Sequence, residues 1–348
     1  MINTLELKQF RSYTNGLFEF QEGVNIIVGA NASGKTNLLE AIHIVCQMHG
    51  FKIADKNMIS YGKDWSRIEA MVTGGVRVVK IRSDSQNTIE TDGLEKKRIS
   101  ENSRLPVVVF EPDHMLMLGG ETERRRSYLD SILAQTVPGY KKQLTAYKRA
   151  LSQRNRLLKN PNASQDQLFA WDLQLSDKAG HIISARLDLT NRLNNACQEN
   201  YREISGSQES LSITYESKLD TKNYSESLLS YLRENIEADR LRGFTGAGPH
   251  RDDVLVVLKG KDARTNASRG ETRSIILAMK IVELDIVHEH TGARPIFLLD
   301  DVFSELDGSR RRSLAEALSS YQTFITTTDA DVVMEHFSKC NIIPVSAA

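Results

Sequence analysis

Eight consecutive residues, Gly29-Ala-Asn-Ala-Ser-Gly34-Lys35-Thr36, match the pattern G-x4-G-K-[ST] at every fixed position. Glycines at these positions let backbone N–H groups converge on phosphate oxygens, and a helix starting there adds positive potential. Lys35 is then expected to reach the β- and γ-phosphates of ATP, and the Thr36 hydroxyl to bind Mg²⁺. Gly29, Asn31, Ala32, Ser33, Gly34 and Asn37 complete the expected nucleotide contacts.

A P-loop needs an acid at the end of a buried strand. Pro295-Ile-Phe-Leu-Leu-Asp300-Asp301 supplies four apolar residues and then two adjacent carboxylates. Successive strand side chains point to opposite faces, so the two acids take different roles. Asp300 is expected to serve Mg²⁺, and Asp301 to orient the attacking water as the catalytic carboxylate beside Lys35.

Both motifs need strands and helices to carry them. Leu5, Leu7, Phe10, Leu17, Phe18 and Phe20 form short alternating runs, and Val24–Val28 reads as a buried strand that delivers Gly29. A helix follows from about Lys35 to Gln47, with Leu38, Leu39, Ile42 and Val45 on one face. Residues 66–99 predict an antiparallel meander of Ile68–Val72, Val76–Ile81 and Thr88–Thr91. Val107–Phe110 is a further strand.

Residues 123–203 read as almost wholly helical. Leu144, Leu151 and Leu158 recur every seven residues up to Asn160-Pro161-Asn162, and Leu168, Leu175, Ile182 and Leu189 resume the repeat. This predicts an antiparallel helical hairpin, or else two helices packed on a globular body. A strand at Leu211–Tyr215 and a helix at Ser225–Leu241 complete an inserted helical domain over residues 116–242. Strand–helix alternation returns from Gly243, through Val254–Leu258, Glu271–His288, Ile296–Leu299, Ser309–Ser319, Thr323–Thr327, Asp329–Phe337 and Ile342–Val345. The expected fold is α/β: a mixed sheet with helices built from residues 1–115 and 243–348, interrupted by the helical arm.

The 348 residues carry 45 basic and 45 acidic side chains, so net charge neither favours nor excludes a nucleic acid. Charge is nevertheless patterned. Between Asp130 and Asp166 there is no acid, while Lys141, Lys142, Lys148, Arg149, Arg154, Arg156 and Lys159 are all basic. Such a block on a helical arm suits a DNA backbone, although a solvated face paired with acids elsewhere has the same sequence signature. Cys46, Cys197 and Cys340 lack metal-ligand spacing and fit a reducing compartment. No signal-peptide core and no membrane span are evident, so a cytoplasmic location is expected.

Further segments carry a resemblance. Ala267-Ser268-Arg269-Gly270-Glu271 resembles the signature loop of ABC-type ATPases, and Ser304-Glu305-Leu306-Asp307 resembles their D-loop. Gly248-Pro249-His250-Arg251-Asp252-Asp253, the run Leu298–Asp307, Phe10-Arg11-Ser12-Tyr13, Phe110-Glu-Pro-Asp113, Arg124-Arg-Arg-Ser-Tyr-Leu-Asp130 and Thr326-Thr-Thr-Asp329 are together similar to the RecF family of bacterial DNA replication and repair proteins. The resemblance covers nearly the whole chain. It implies an SMC-like ABC-type P-loop ATPase head with a helical arm, and a homodimer closed by ATP. Ser268 and Gly270 of one subunit would cap the γ-phosphate held by the other subunit's P-loop, with Asp307 and Thr327 also at the nucleotide. It further implies a weak DNA-stimulated ATPase acting on single-stranded and duplex DNA at gap junctions, with RecO, RecR and RecA as partners.

Departures from the general ABC pattern temper the expected turnover. The signature loop ends in Glu271 where Gln is usual. Thr326–Thr328 stands where transporters carry a switch histidine, and no convincing Q-loop glutamine lies near Val107–Asp113. His250 and Arg251 are either site residues or partners of Asp252 and Asp253. His288 and His290 flank Glu289 as either a metal site or helix C-terminal chemistry. His43 and His336 read as structural. The competing function classes are the ATPase subunit of an ABC transporter and an SMC-like structural clamp. The basic arm and missing histidine argue against the first; the arm's length of some tens of residues argues against the second.

Overall fold

The computed structural model describes residues 1–47, 55–84, 88–91, 93–96 and 103–346. The chain forms two compact units, Met1–Met115 with Glu283–Ala348, and Leu116–Val282. The first unit opens with β1 (Ile2–Phe10) and β2 (Tyr13–Glu19), an antiparallel pair, followed by β3 (Val24–Val28) and α1 (Lys35–Gln47). β4 (Trp65–Val72), β5 (Gly75–Arg82), β6 (Thr88–Thr91) and β7 (Leu94–Lys96) form the predicted meander, and β1 joins it through β4. The resulting antiparallel sheet has the order β2-β1-β4-β5-β6-β7. Ile68, Ala70 and Val72 are buried while Arg67, Glu69 and Met71 alternate outward, the period of a one-faced sheet. The expected end of the meander at residues 97–99 lies outside the described residues. β8 (Val107–Phe110) and α2 (Pro112–Met115) complete this stretch.

The second unit contains α3 (Thr122–Thr136), α4 (Tyr140–Leu158), α5 (Gln165–Ser205), β9 (Leu211–Glu216), α6 (Tyr224–Glu234) and α7 (Ile236–Arg242). β10 (Asp253–Leu258), β11 (Lys261–Asp262), α8 (Ala263–Asn266) and the residues of α9 (Arg269–Thr291) up to Val282 follow. A capping box starts α5: Ser164 Oγ accepts from Gln167 N–H while Gln167 returns a bond to the Ser164 N–H. Its 41 residues, about 60 Å at the usual rise, bury a seven-residue stripe of Leu168, Leu175, Ile182 and Leu189. The interleaved half of that stripe includes Asp172, Ala179, Arg186 and Leu193, all buried. α4 and α5 pack against each other, and α5 also packs against α3, α6 and β9, so the pair carries features of both readings, a hairpin and two helices on a globular body.

Two expectations change here. Residues 243–282, expected to rejoin the head, belong to this unit: β10 pairs along its length with β9, and its buried face of Val254, Val256 and Leu258 packs against α3. The single helix expected over Ser225–Leu241 is two, because Asn235 adopts a non-helical conformation between α6 and α7.

The chain returns to the first unit with β12 (Ile296–Leu299), α10 (Gly308–Leu318), β13 (Thr323–Thr327), α11 (Ala330–Met334) and β14 (Cys340–Pro344). These strands complete a wholly parallel sheet of order β14-β3-β13-β12-β8, built from both ends of the chain. Strands buried on both faces are largely apolar, as Ile296–Leu299 is; in β3 the one polar residue, the buried Asn25, is satisfied by the backbone of Gln21 and Gly23. Because every strand is parallel, their carboxyl ends share one edge, which is where α/β sheets bind ligands.

Candidate functional site

The P-loop leaves that edge from β3. Gly29 N–H donates to the Thr327 carbonyl at 3.3 Å, and Val345 N–H donates to the Val28 carbonyl at 2.8 Å. The loop is therefore pinned between β13 and the end of β14. A Cβ on Gly29 would sit 2.2 Å from the Val345 carbonyl oxygen, so only glycine fits. Gly34, with φ of 103°, needs glycine for its conformation, and Tyr13 OH donates to its carbonyl at 3.0 Å. Lys35 is buried, with Nζ donating to the Gly29 and Ala30 carbonyls at 2.9 and 3.0 Å. The buried Ser33 hydroxyl has no hydrogen-bond partner among the described residues, which leaves a donor inside the loop for an anion. Asn31 and Ala32 are exposed, and Asn37 lies on the first turn of α1.

Asp300 arrives from β12 beside the loop. Thr36 Oγ1 donates to Asp300 Oδ1 at 2.8 Å, and Thr326 Oγ1 lies 3.1 Å from the same oxygen. An adjacent hydroxyl and carboxylate form an all-oxygen set of the kind that suits Mg²⁺. Asp301 has a φ of 55°, a left-handed conformation that Asp tolerates, and its N–H donates to Thr326 Oγ1 at 2.8 Å. Both acids lie beyond the end of β12, so the strand alternation used to assign them different roles does not extend to Asp301.

The sequence reading missed the link that Thr326 makes to both aspartates, naming it only within the Thr326–Thr328 run, with Thr327 as the nucleotide residue. The Thr327 hydroxyl is buried and donates to the Asp329 carbonyl at 2.9 Å. Arg11 was also missed. It joins α1 through Asn37 at 3.0 Å and the wholly buried Glu40 at 2.5 Å. Asp307 caps α10, accepting from Arg310 N–H at 3.1 Å and Ser309 Oγ at 2.8 Å. In the second unit Ser268 is exposed at the start of α9, with Gly270 two residues on.

The whole chain matches the model of the RecF/RecN/SMC N terminal domain, over residues 1–346. The DNA replication and repair protein RecF of Shouchella clausii is 37% identical over 94% of this chain and 92% of its own length. RecF of Bacillus subtilis is 33% identical, over 95% and 94% respectively. This chain belongs to the RecF family. A solved structure of the recombination mediator protein RecF-ATPrS in the RecFOR pathway superposes with a TM-score of 0.89 at 29% identity, covering 99% of this chain and 97% of that one. A second, of RecF-ATP, gives 0.87 at 28%, covering 99% and 95%. An Smc head bound to the C-winged helix domain of ScpA shares the fold at 0.55 and 17%, covering 100% and 95%.

The basic run of this RecF-family chain divides into two sets. Lys141, Lys142, Lys148, Arg149, Arg156 and Lys159 are exposed. At 100° per residue they span an arc of about 120° on α4 and its end. Arg154 lies about 220° from Lys141 and is fully buried, so it is unavailable to DNA. Its Nε donates to Asp172 Oδ1 at 2.5 Å, and its Nη1 donates to Asp239 Oδ2 at 2.7 Å and Thr245 Oγ1 at 2.9 Å.

The Gly248–Asp253 segment is held by a polar core. Tyr147 OH and His250 Nδ1 are 2.6 Å apart, and His250 Nε2 lies 3.2 Å from the Thr245 carbonyl. Burial pulls the His250 imidazole down to about 4, so it is neutral at pH 7, accepting from Tyr147 and donating to Thr245. Asp252 accepts from Tyr215, Ser217 and Tyr224 at 3.0, 2.8 and 2.7 Å. Asp253 takes a two-pronged bond from Arg125 at 2.7 and 3.0 Å, and a third from Arg264 at 2.8 Å. Of the two readings of Arg251, pairing with Asp252 or Asp253 is not seen among the described residues; its guanidinium stacks 4.7 Å from the Phe244 ring centre. Among the described residues no group of three or more His, Cys, Asp or Glu side chains is placed to hold a metal, which removes the His288–His290 metal reading. None of their helices is long and apolar enough to cross a membrane.

Proposed function

We propose that this chain binds ATP and Mg²⁺ at the P-loop, pairs with a second copy when ATP is bound, and uses that pairing to control its hold on DNA at gaps and single-strand/duplex junctions. The observation that carries the nucleotide site is the 2.8 Å bond between Thr36 and Asp300, which joins the P-loop to the acid-bearing strand. Thr36 and Asp300 would hold Mg²⁺, which when bound offsets the negative charge on the phosphates. Lys35 supplies the fixed cation, and Gly29, Asn31–Gly34 and Asn37 surround the phosphates. Asp301 orients the attacking water. Relatives solved as RecF-ATPrS and RecF-ATP support the choice of nucleotide.

Ser268 and Gly270 would serve the nucleotide of the second copy, with Asp307 at the same interface and Thr327 beside its own chain's P-loop. An exposed serine at a helix start has phosphate-binding chemistry, and a two-fold dimer completes both sites at once. Turnover is slow and DNA-stimulated, so ATP acts chiefly as a closing ligand. The α4–α5 hairpin acts as the arm, with the exposed face of α4 as the DNA track. The chain works in the cytoplasm with RecO and RecR to load RecA recombinase.

The deciding experiment measures DNA binding with and without ATP on gapped, duplex and single-stranded substrates. Tighter binding with ATP, greatest on gapped DNA, is expected. Equal affinity with and without ATP on all three overturns the reading.

A further inference from the structure

Lys259 occupies a position where lysine is rarely found. β10 and β11 are joined by Lys259-Gly260 alone, Leu258 pairs directly with Lys261, and the two turn residues have φ of 58° and 73°. Two-residue hairpins with positive φ at both positions favour Asn, Asp or Gly first, because a longer side chain crowds the backbone there. Strain of this kind persists where the surroundings fix the residue. Here two carboxylates do so: Lys259 Nζ lies 2.6 Å from Glu209 Oε1 and 2.8 Å from Glu271 Oε1.

The chain of contacts continues to the signature loop. Ser268 N–H donates to Glu271 Oε2 at 2.7 Å, and Glu271 N–H donates to Ser268 Oγ at 3.2 Å, a reciprocal capping box. The bonds from Lys259 and from Ser268 hold the Glu271 carboxyl down to about 2, so it is ionised at neutral pH. A glutamine there would cap Ser268 without charge. A glutamate caps it equally well but places a negative charge three residues from the hydroxyl that would meet a triphosphate.

We propose that Lys259 is a positioning residue for ATP-driven pairing: it offsets part of the Glu271 charge, which it shares with Glu209, and fixes Glu271 in the capping box, so that Ser268 is presented to the partner's γ-phosphate with less repelling charge behind it. This rests on the shared-site reading above. Lysine and glutamate act as a matched pair.

Asparagine suits the first turn position better than lysine, so Lys259→Asn removes the ammonium without damaging the hairpin. The ATP concentration for half-maximal dimerisation, followed by light scattering, is expected to rise roughly fivefold in Lys259→Asn, the scale of an exposed ion pair. Glu271→Gln in the same chain restores it, and Lys259→Arg stays near wild type. The Lys259→Asn defect shrinks as salt rises, because both groups are partly exposed. No defect, or an equal defect with Gln at 271, overturns the proposal. Hydrogen exchange over residues 268–272 without nucleotide gives a dimer-independent reading. Faster exchange in Lys259→Asn, reversed in the double variant, is expected. A wild type that fails to pair with ATP sinks the shared-site reading, while unchanged exchange sinks the role of Lys259 in holding the loop.

Discussion

Arg154 Nε donates to Asp172 Oδ1 at 2.5 Å between α4 and α5, with side-chain exposures of only 0% and 3%. The same guanidinium reaches Asp239, whose other oxygen accepts from Arg242 at 2.6 Å. Burial raises the Asp172 carboxyl above its ordinary range in spite of Arg154. Removing the arginine therefore strands the buried Asp172 and leaves Asp239 held through its other oxygen alone. Arg154→Met should cost about 3–5 kcal/mol of stability in urea unfolding, the scale of breaking a buried pair. A loss below about 1 kcal/mol would mean that water or a neighbour replaces it.

His250 links stability to pH. Its folded-state value, about 4, lies below the unfolded value of about 6.5. Above pH 6.5 both states are neutral and the group has no effect. As pH falls from 6.5 to 4 the unfolded chain takes up a proton that the folded chain refuses, so stability declines by about 3 kcal/mol in total. Histidine NMR should find one ring titrating near 4, and His250→Asn should remove that part of the acid-side decline. A His250 that titrates near 6.5 overturns the assignment.

Lys35→Ala should abolish tight ATP binding, since the principal cation for the β- and γ-phosphates is gone. Asp301→Asn should keep ATP bound and slow its hydrolysis by at least about 100-fold, the range of a missing general base. Nucleotide titration and phosphate release separate the two. Wild-type turnover by Lys35→Ala would relocate the site.

The P-loop and Asp300 were legible because both are local: fixed spacing, then an apolar strand, then an acid. Thr326 was not, because its bond to Asp300 depends on β13 lying beside β12 in the sheet, which sequence order does not dictate. The partner of β10 was hidden for the same reason, since an apolar run looks alike whichever sheet receives it. Arg154 did carry a usable signal. It falls on the helical stripe of Tyr147, Ala150 and Leu158, opposite the other six basic residues, but charge counting along the chain averages that face away.

Ser268→Arg should leave ATP binding by a single chain largely intact while blocking ATP-dependent dimerisation and hydrolysis. Ser268 is exposed, so the larger side chain does not disturb a core. On the proposed shared site, Ser268 acts toward the neighbour's nucleotide and not toward that of its own chain. Light scattering with ATP decides the matter, and an unimpaired dimer refutes a shared site.

The exposed arc of α4 makes the most quantitative claim. If Lys141, Lys142, Lys148, Arg149, Arg156 and Lys159 track a DNA backbone, each phosphate contact contributes about −0.9 to the slope of log K against log salt on duplex. Replacing Lys148, Arg149 and Arg156 with Gln should flatten that slope by roughly two to three units. Affinity should fall similarly on every sequence, because phosphates carry no base information. Folding should survive, since all three are exposed and glutamine is a comparable helix former. Nucleotide binding should be unchanged, because none of the three is among the P-loop or Asp300–Asp301 residues. The contrast with Arg154 sharpens the test: Arg154→Met should destabilise the fold yet leave the salt slope of the folded protein as it was. An unchanged slope in the triple variant would make this arc a solvated face and move the DNA contact elsewhere on the chain.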